Sequence, residues 1–199
     1  MKAIIPNISE SVLETRRSWG ADRADEVWNG VLHMLPPPRK THQQFEGELE
    51  TWIRNHWVAR GKGQVYHQIA VSPLQEHWTR DYRVPDLVLL TPDRFHIDRE
   101  TYFCGAPTVA VELKSEDDET YEKLDFYADL QIPELWVIDA DTCRPELHVL
   151  AGSSFTPRKA DRDGWLQSVA TGIQFRAITN GLEIQLAEDP NTLATVGEK

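Results

Sequence analysis

Three charged side chains interrupt two of the most apolar segments of this 199-residue chain. The segment VPDLVLLT carries Asp86 near its head, and PTVAVELKS carries Glu112 and Lys114 near its end. Successive side chains of a strand alternate between its two faces, so Glu112 and Lys114 share one face. An isolated charge in such an apolar run is costly to bury, so these groups must reach solvent, pair with each other or meet a ligand.

The spacing of these charges predicts a divalent-metal site if the two segments lie side by side. Asp86 then lies next to Glu112, and two carboxylates with water and carbonyl oxygens suit Mg²⁺ or Mn²⁺. A lysine beside such a metal can orient or help to deprotonate a water, while the metal stabilises charge that grows on a phosphate. The predicted chemistry is metal-dependent phosphodiester hydrolysis. The alternative is that Glu112 and Lys114 form a surface ion pair and that Asp86 only begins a strand.

A hairpin and a helix precede these segments. Asn-Gly at residues 29–30, between two apolar pairs, predicts a β-hairpin. Apolar residues at helical spacing then predict a helix over residues 41–60, capped by its first residue and ended by Gly61. On this helix His42 falls within the apolar stripe and Glu46 lies at its edge.

The rest of the chain is predicted to form a sheet with one crossover helix. The segments QVYHQIAVSP, VPDLVLLT, PTVAVELKS, PELWVIDA and PELHVL have the composition of strands, and DDETYEKLDFYADLQI that of a helix. A strand, helix, strand order with apolar strands predicts a mixed sheet with helices packed on it. The C-terminal third is predicted to form short β segments, and the tail EDPNTLATVGEK to be frayed.

The overall charge limits the partners that the chain can bind tightly. Its net charge of -11 repels nucleic acid at long range unless positive charge is gathered locally. The two cysteines, Cys104 and Cys143, show no metal-binding or disulfide spacing. No apolar run approaches the length needed to cross a bilayer, and the N-terminus lacks a signal-peptide core. We therefore expect a cytoplasmic protein without a membrane partner.

The ordered motifs resemble a known nuclease family. Pro85-Asp86 followed by Glu112-Leu113-Lys114 resembles the PD-(D/E)XK signature, and most of the chain is similar to the Uma-type family of putative restriction endonucleases within that superfamily. The similarity is carried by WNGVLHMLPPPRKTHQQFEGEL, VPDLVLL, PTVAVELKS, YEKLDFYADLQIPELWVIDADTCRPELHVL and GLEIQL, which together cover about residues 26–186. Each piece is short, and the ordered series is much more specific than any one of them.

The resemblance implies a restriction-endonuclease-like α/β fold, with a mixed β-sheet core flanked by helices and extra β-hairpins. We expect one domain over residues 1–199, with a core of about 26–186 and tails at 1–20 and 187–199. The implied activity is that of an endonuclease that uses Mg²⁺ or Mn²⁺ to cleave DNA. Because the chain is acidic, DNA should bind weakly without metal. A homodimer is a possible assembly that the sequence does not decide.

The resemblance also implies the residues of the metal site. Asp86 and Glu112 would be metal ligands, joined by Leu113 through its carbonyl oxygen, and Lys114 would lie beside the attacking water. Together with Pro85, these four residues form the two short motifs of the signature.

Four helical residues are expected around this site. By the same resemblance His42 would face the site as a catalytic residue, and Lys123 and Tyr127, one helical turn apart, would support it. Glu46, one turn after His42, can add a ligand or lie at the solvated edge of its helix. The structural alternatives are a helix-start histidine bound to a carbonyl and ordinary helical positions for Lys123 and Tyr127.

Two features depart from the family pattern. Members often have an apolar or small residue where Lys114 stands, so this chain is closer to the wider superfamily there. The segment SEDDET that follows is acidic where the family tends to be mixed or basic, and its carboxylates would repel a phosphate or recruit an extra cation. The second hypothesis is therefore a catalytically silent nuclease-fold protein that acts as a protein-binding or assembly module. The intact Asp, Glu and Lys set favours the enzyme, and the net charge favours the module.

Overall fold

A computed structural model describes residues 3–6, 8–20, 22, 25–35, 38–115 and 119–198. The helices are α1 (Glu10–Ser18), α2 (Lys40–His56) and α3 (Leu124–Asp129). The strands are β1 (Ala3–Ile5), β2 (Asp25–Trp28), β3 (Val31–Met34), β4 (Gln64–His67), β5 (Ala70–Ser72), β6 (Leu87–Leu90), β7 (Tyr102–Cys104), β8 (Val109–Lys114), β9 (Glu134–Asp139), β10 (Pro145–Ala151), β11 (Ser154–Pro157), β12 (Leu166–Gln167), β13 (Ile173–Ile178), β14 (Gly181–Leu186) and β15 (Asp189–Val196).

The central element is a six-stranded mixed sheet in the order β11-β10-β9-β8-β6-β4. Its strands are antiparallel to their neighbours except β8 and β9, which are parallel and are connected through α3. A tight turn joins only antiparallel strands. Parallel neighbours need a longer crossover, because the chain must return to the end of the sheet at which the first strand began. The predicted α/β architecture, a mixed sheet flanked by helices, is confirmed.

The two faces of this sheet are covered by different layers. Leu87 of β6 and Val111 of β8 pack in one core with Phe45 and Leu49 of α2, a core that also takes in the four-stranded sheet of β12 to β15. Ala110, between such residues on β8, packs in a second core against α3. Neighbouring side chains of β8 therefore point to opposite faces of the sheet, as the sequence predicts.

The predicted hairpin is formed by β2 and β3, which pair from Trp28↔Val31 outward. Asn29 and Gly30 both have positive φ, at 50° and 83°, as the tight primed turns of hairpins require. The following helix begins at Lys40 with Arg39 as its N-cap, so the prediction that Thr41 caps it is wrong.

The helical segment ends in two steps. α2 stops at His56, and a 3₁₀ turn over Val58–Arg60 continues to the left-handed Gly61, which closes the segment as predicted. The helical segment predicted after β8 consists of a 3₁₀ turn at Thr120–Lys123 followed by α3. Residues 117–118 of the predicted helix lie outside the described residues.

The C-terminal segment is more ordered than predicted. β15 pairs with β14, and its Thr192 and Val196 are buried, so the expectation of a frayed C-terminal tail is wrong. The Trp52 indole of α2 donates to the Thr192 carbonyl, which fixes this strand to the central helix. At the other end β1 pairs with β3. No helix among the described residues is long and apolar enough to cross a membrane.

Candidate metal centre

Asp86 lies where β6 and β8 separate at the end of the sheet. The register Leu87↔Val111 places it opposite Glu112, as the sequence predicts for neighbouring strands. One carboxylate oxygen, Oδ2, accepts the backbone N–H of Leu113 at 2.6 Å. The other, Oδ1, lies 3.0 Å from Nε2 of His42 on α2. Asp86 is thus held from β8 on one side and from α2 on the other.

α2 brings two more potential ligands to Asp86. His42 and Glu46 lie one helical turn apart on its buried stripe, and their ligand atoms and those of Asp86 all lie within 4.8 Å of one another. The His42 Nε2 atom is 4.0 Å from Oε2 of Glu46. Its other ring nitrogen lies 3.4 Å from the hydroxyl of Ser115. His42, Glu46 and Asp86 form the potential ligand group found among the described residues.

Glu46 is a buried acid with an incompletely satisfied carboxylate. The side chain is only 2% exposed, and its buried Oε1 has no hydrogen-bond partner in the described part of the chain. His67 Nδ1 approaches this oxygen at 2.6 Å, but not in hydrogen-bonding geometry. Burial and, to a smaller extent, the charge of Asp86 raise the pKa of Glu46 to about 8, although His42 opposes the rise. A buried carboxyl group with a raised pKa and an oxygen without a hydrogen-bond partner is suited to lose its proton when a cation binds.

Glu112 points into the opposite layer, where two side chains of the α3 region hold it. Lys123 Nζ lies 3.1 Å from both carboxylate oxygens, and the Tyr127 hydroxyl donates to Oε1. Burial raises the pKa of Glu112 to about 8, while Lys123 opposes that rise. Lys123 and Tyr127 thus contact Glu112 directly and do not occupy ordinary exposed positions on their helix.

Glu26 of β2 completes this buried network, although sequence reasoning did not identify it. Its Oε1 accepts from Lys123 Nζ at 2.9 Å and from the Val84 N–H at 2.9 Å, and its Oε2 accepts from the Trp28 indole. Burial by itself lowers the pKa of Lys123, but Glu112 and Glu26 raise it above its ordinary value, so the amine stays an ammonium. Glu26 therefore anchors both the segment before Asp86 and the lysine that holds Glu112.

Lys114 does not contact Glu112 in this structure. Its Nζ lies 3.3 Å from Oδ2 of Asp139, the residue opposite it on β9. Burial acts to raise the pKa of Asp139, but hydrogen bonds from Thr142 and Lys114 lower it overall. Both side chains of the pair are 28% exposed, so the amine stands at the rim of the site and can reach solvent.

The acidic segment after β8 is only partly described. Glu119 is buried and its oxygens lie 3.1 and 3.2 Å from Nδ1 of His33, so this acid faces the interior. Residues 116–118 lie outside the described residues, and the predicted repulsion of a phosphate by them remains a prediction.

The structure thus divides the predicted site residues into two groups around Asp86. His42 and Glu46 lie on the α2 side, and Glu112 lies on the α3 side with Lys123 and Tyr127. The predicted ligand set of Asp86, Glu112 and Leu113 differs from the group that the side-chain atoms form, because Glu112 is held by Lys123. Leu113 contacts Asp86 through its N–H, and a role for its carbonyl oxygen remains a prediction.

Comparisons with known proteins identify the family of the chain and a similar fold. The profile of the Uma2 family, described as putative restriction endonucleases, matches residues 16–180. A similar solved structure is the crystal structure of a putative nuclease belonging to DUF820 from Anabaena variabilis, with a TM-score of 0.60 and 15% sequence identity. The match covers 75% of this chain and 84% of that chain, and at this identity it shows the fold alone. A search of curated proteins found no match.

Proposed function

Because the chain belongs to the Uma2 family of putative restriction endonucleases, we propose that it is a divalent-metal-dependent endonuclease that hydrolyses DNA phosphodiester bonds through a PD-(D/E)XK-type site. The observation that carries the proposal is the position of Asp86, which contacts β8 and α2 beside a buried oxygen of Glu46 that has no hydrogen-bond partner among the described residues. An oxygen that is buried without a partner is costly, and a bound cation would satisfy it.

His42, Glu46 and Asp86 fit a divalent metal by their chemistry and spacing. Each has one potential ligand atom within 4.8 Å of the other two, and two of the three residues are buried. A divalent metal bound there would lower the pKa of a water and stabilise charge on a phosphate. Mg²⁺ or Mn²⁺ would suit the carboxylates of this site.

The other residues have distinct roles in the proposal. Glu112 places a second carboxyl group opposite Asp86, where Lys123 and Tyr127 hold it in position. Lys114 supplies a partly exposed amine at the rim, which can exchange Asp139 for a scissile phosphate or the attacking water. His42 orients Asp86 through the 3.0 Å contact with Oδ1.

Nicking of supercoiled plasmid DNA by the purified full chain tests the proposal. The wild type should nick DNA with Mn²⁺ or Mg²⁺, and Asp86→Asn and Glu112→Gln should abolish nicking, because each replaces an ionisable carboxyl group with an amide at almost constant volume. Asp93→Asn is the matched control, since Asp93 is an exposed aspartate on the 3₁₀ turn Pro92–Ile97, and it should nick as the wild type does.

A catalytically silent module is the second candidate, and the net charge of -11 favours it. This candidate predicts that the wild type nicks no faster than Asp86→Asn with either metal and on several forms of DNA. That result would refute the endonuclease, whereas metal-dependent nicking lost only in the site variants would refute the module.

A further inference from the structure

Arg39 brings a second cation, besides Lys114, to the rim of the metal centre. It is the N-cap residue of α2 and precedes His42, a member of the potential ligand group, by three positions. Its guanidinium lies 3.8 Å from Oδ2 of Asp141, and the two side chains are 64% and 47% exposed. The first turn of α2 carries no acidic residue that would oppose an anion beside this arginine.

The turn after β9 connects Arg39 with Lys114. Lys114 pairs with Oδ2 of Asp139 at 3.3 Å, and Oδ1 of the same carboxylate accepts the Asp141 N–H at 3.1 Å. Asp141 in turn faces Arg39. One turn therefore holds two cations of the rim, each against a carboxylate that solvent can reach.

These two cations stand at the edge of the metal centre. Ser115 follows Lys114, and its hydroxyl lies 3.4 Å from Nδ1 of His42. The other ring nitrogen of His42 lies 3.0 Å from Oδ1 of Asp86. The end of β8, the end of β9 and the start of α2 therefore meet on one side of the centre.

The ion pair between Arg39 and Asp141 is weak enough to exchange its carboxylate for another anion. A separation of 3.8 Å is longer than a hydrogen bond, and exposed ion pairs contribute little to stability. A guanidinium binds phosphate in the same forked geometry in which it binds carboxylate. Because the chain carries a net charge of -11, a DNA backbone needs such local cations to approach the site.

We propose that Arg39 binds a backbone phosphate next to the scissile one, and that Asp141 holds the guanidinium in the free protein until DNA displaces it. The inference rests on the proposed function and adds a substrate contact to the same site. Arg39 places the DNA strand across the rim, while Lys114 serves the phosphate that is cleaved. Asp141 lowers the affinity for DNA, because its carboxylate competes with the phosphate.

Fluorescence anisotropy of a labelled DNA duplex, titrated with the full chain in Ca²⁺ at several salt concentrations, tests the inference. Arg39→Ala should lower the affinity about tenfold at low salt and reduce the slope of log affinity against log salt by about one, since one phosphate contact is lost. Asp141→Asn should raise the affinity about threefold, because no carboxylate then competes for the guanidinium.

Arg60 and Asp189 provide the matched controls. They form another partly exposed Arg–Asp pair, 2.8 Å apart, and the roughly 25 Å length of α2 separates this pair from Arg39. Arg60→Ala and Asp189→Asn make the same changes in net charge as the two test variants. Each control should change the affinity by less than about twofold, since screening weakens the effect of a distant charge.

Equal affinity and salt slope in Arg39→Ala and Arg60→Ala would overturn the inference, as would a wild type with no affinity for the duplex. An Asp141→Asn protein that binds no more tightly than Asp189→Asn would refute the competition by Asp141. Anisotropy measures binding alone, and metal-dependent nicking by the wild type is measured separately. Failure of the Arg39 contact and failure of the proposed nuclease are therefore distinguishable.

Discussion

Replacing Glu46 by glutamine should stabilise the metal-free protein, and the gain should increase with pH. Burial raises the pKa of Glu46 from its ordinary value of 4.5 to about 8. Between these values the folded state holds a proton that the unfolded state has released, so stability falls as pH rises. The favourable contribution is complete below about pH 4.5 and is lost as pH rises towards about 8. Glutamine has no proton to lose and avoids this penalty.

The size of the effect follows from the rise in pKa. A rise from 4.5 to about 8 corresponds to an upper limit of about 5 kcal/mol in unfolding free energy. The neighbours Asp86 and His67 reach solvent, which screens the site, so we expect about 2 kcal/mol. The advantage of Glu46→Gln should therefore grow from under about 1 kcal/mol at pH 5 to about 2 kcal/mol at pH 9.

Urea unfolding at several pH values, in the presence of a chelator, measures this difference. The test is how the difference in unfolding free energy between Glu46→Gln and the wild type changes with pH. A contact that the amide cannot make would shift this difference by the same amount at every pH. Glu14→Gln, a change at an exposed glutamate of α1, is the control and should stay within about 0.5 kcal/mol of the wild type. Saturating Mn²⁺ at pH 8 should reverse the order, since only the wild type keeps the carboxylate ligand.

A difference between Glu46→Gln and wild type that does not change from pH 5 to pH 9 would refute this reasoning. It would mean that Glu46 is ionised in the folded protein over the whole range, so that burial does not set its charge state.

Four further predictions concern other parts of the molecule. Glu26→Gln removes one of the two carboxylates around the buried Lys123 ammonium and should cost about 3 kcal/mol in urea unfolding, and adding Lys123→Met should recover part of that loss. Lys114→Met breaks a partly exposed pair with Asp139, so thermal unfolding should show a loss below about 1 kcal/mol while plasmid nicking falls at least about tenfold. Deleting residues 189–199 removes the strand that covers the α2 indole, and limited proteolysis should then cleave the remaining chain rapidly. DNA binding measured by anisotropy should be weak without metal and should improve sharply with Ca²⁺, and tight metal-free binding would reveal a dominant basic surface.

The predictable part of the site lies in short segments with strong local patterns. The alternation in VAVELK fixes which face Glu112 takes, and the Asn-Gly turn fixes the hairpin, because both depend only on near neighbours in the chain. The position of Asp86 opposite Glu112 then required one assumption, that their strands pair, and the structure confirms that pairing.

His67 and Glu26 could not be identified in this way. His67 lies at the end of the short strand β4 and Glu26 within the short strand β2, and polar residues in such positions are usually exposed. Their roles depend on which strands become neighbours and on how the hairpin packs. The signal available for Glu26 was its place directly before the apolar Val27-Trp28 pair of β2, and the side chain is fully buried in the structure.

Lys114 shows the limit of alternation. The alternating pattern of β8 correctly gave the face on which Lys114 lies, but it could not give its partner. Asp139 belongs to β9 and lies opposite Lys114 only because of the parallel register of the two strands. The C-terminal strand was missed because DPNTLATV is polar and buries few of its residues, so it has no continuous apolar run.

The separation of the site residues along the chain has a consequence for the order of folding. His42 and Asp86 are 44 residues apart, and Glu26 contacts the Val84 backbone across 58 residues. Contacts that close such long loops form after local hairpins and helices, because the lost chain entropy must first be offset. We therefore expect a partly folded chain to contain every carboxylate of the centre and still have no affinity for the ion. Metal uptake would then mark the completion of folding and would slow unfolding, since the ion must leave before the distant segments can separate.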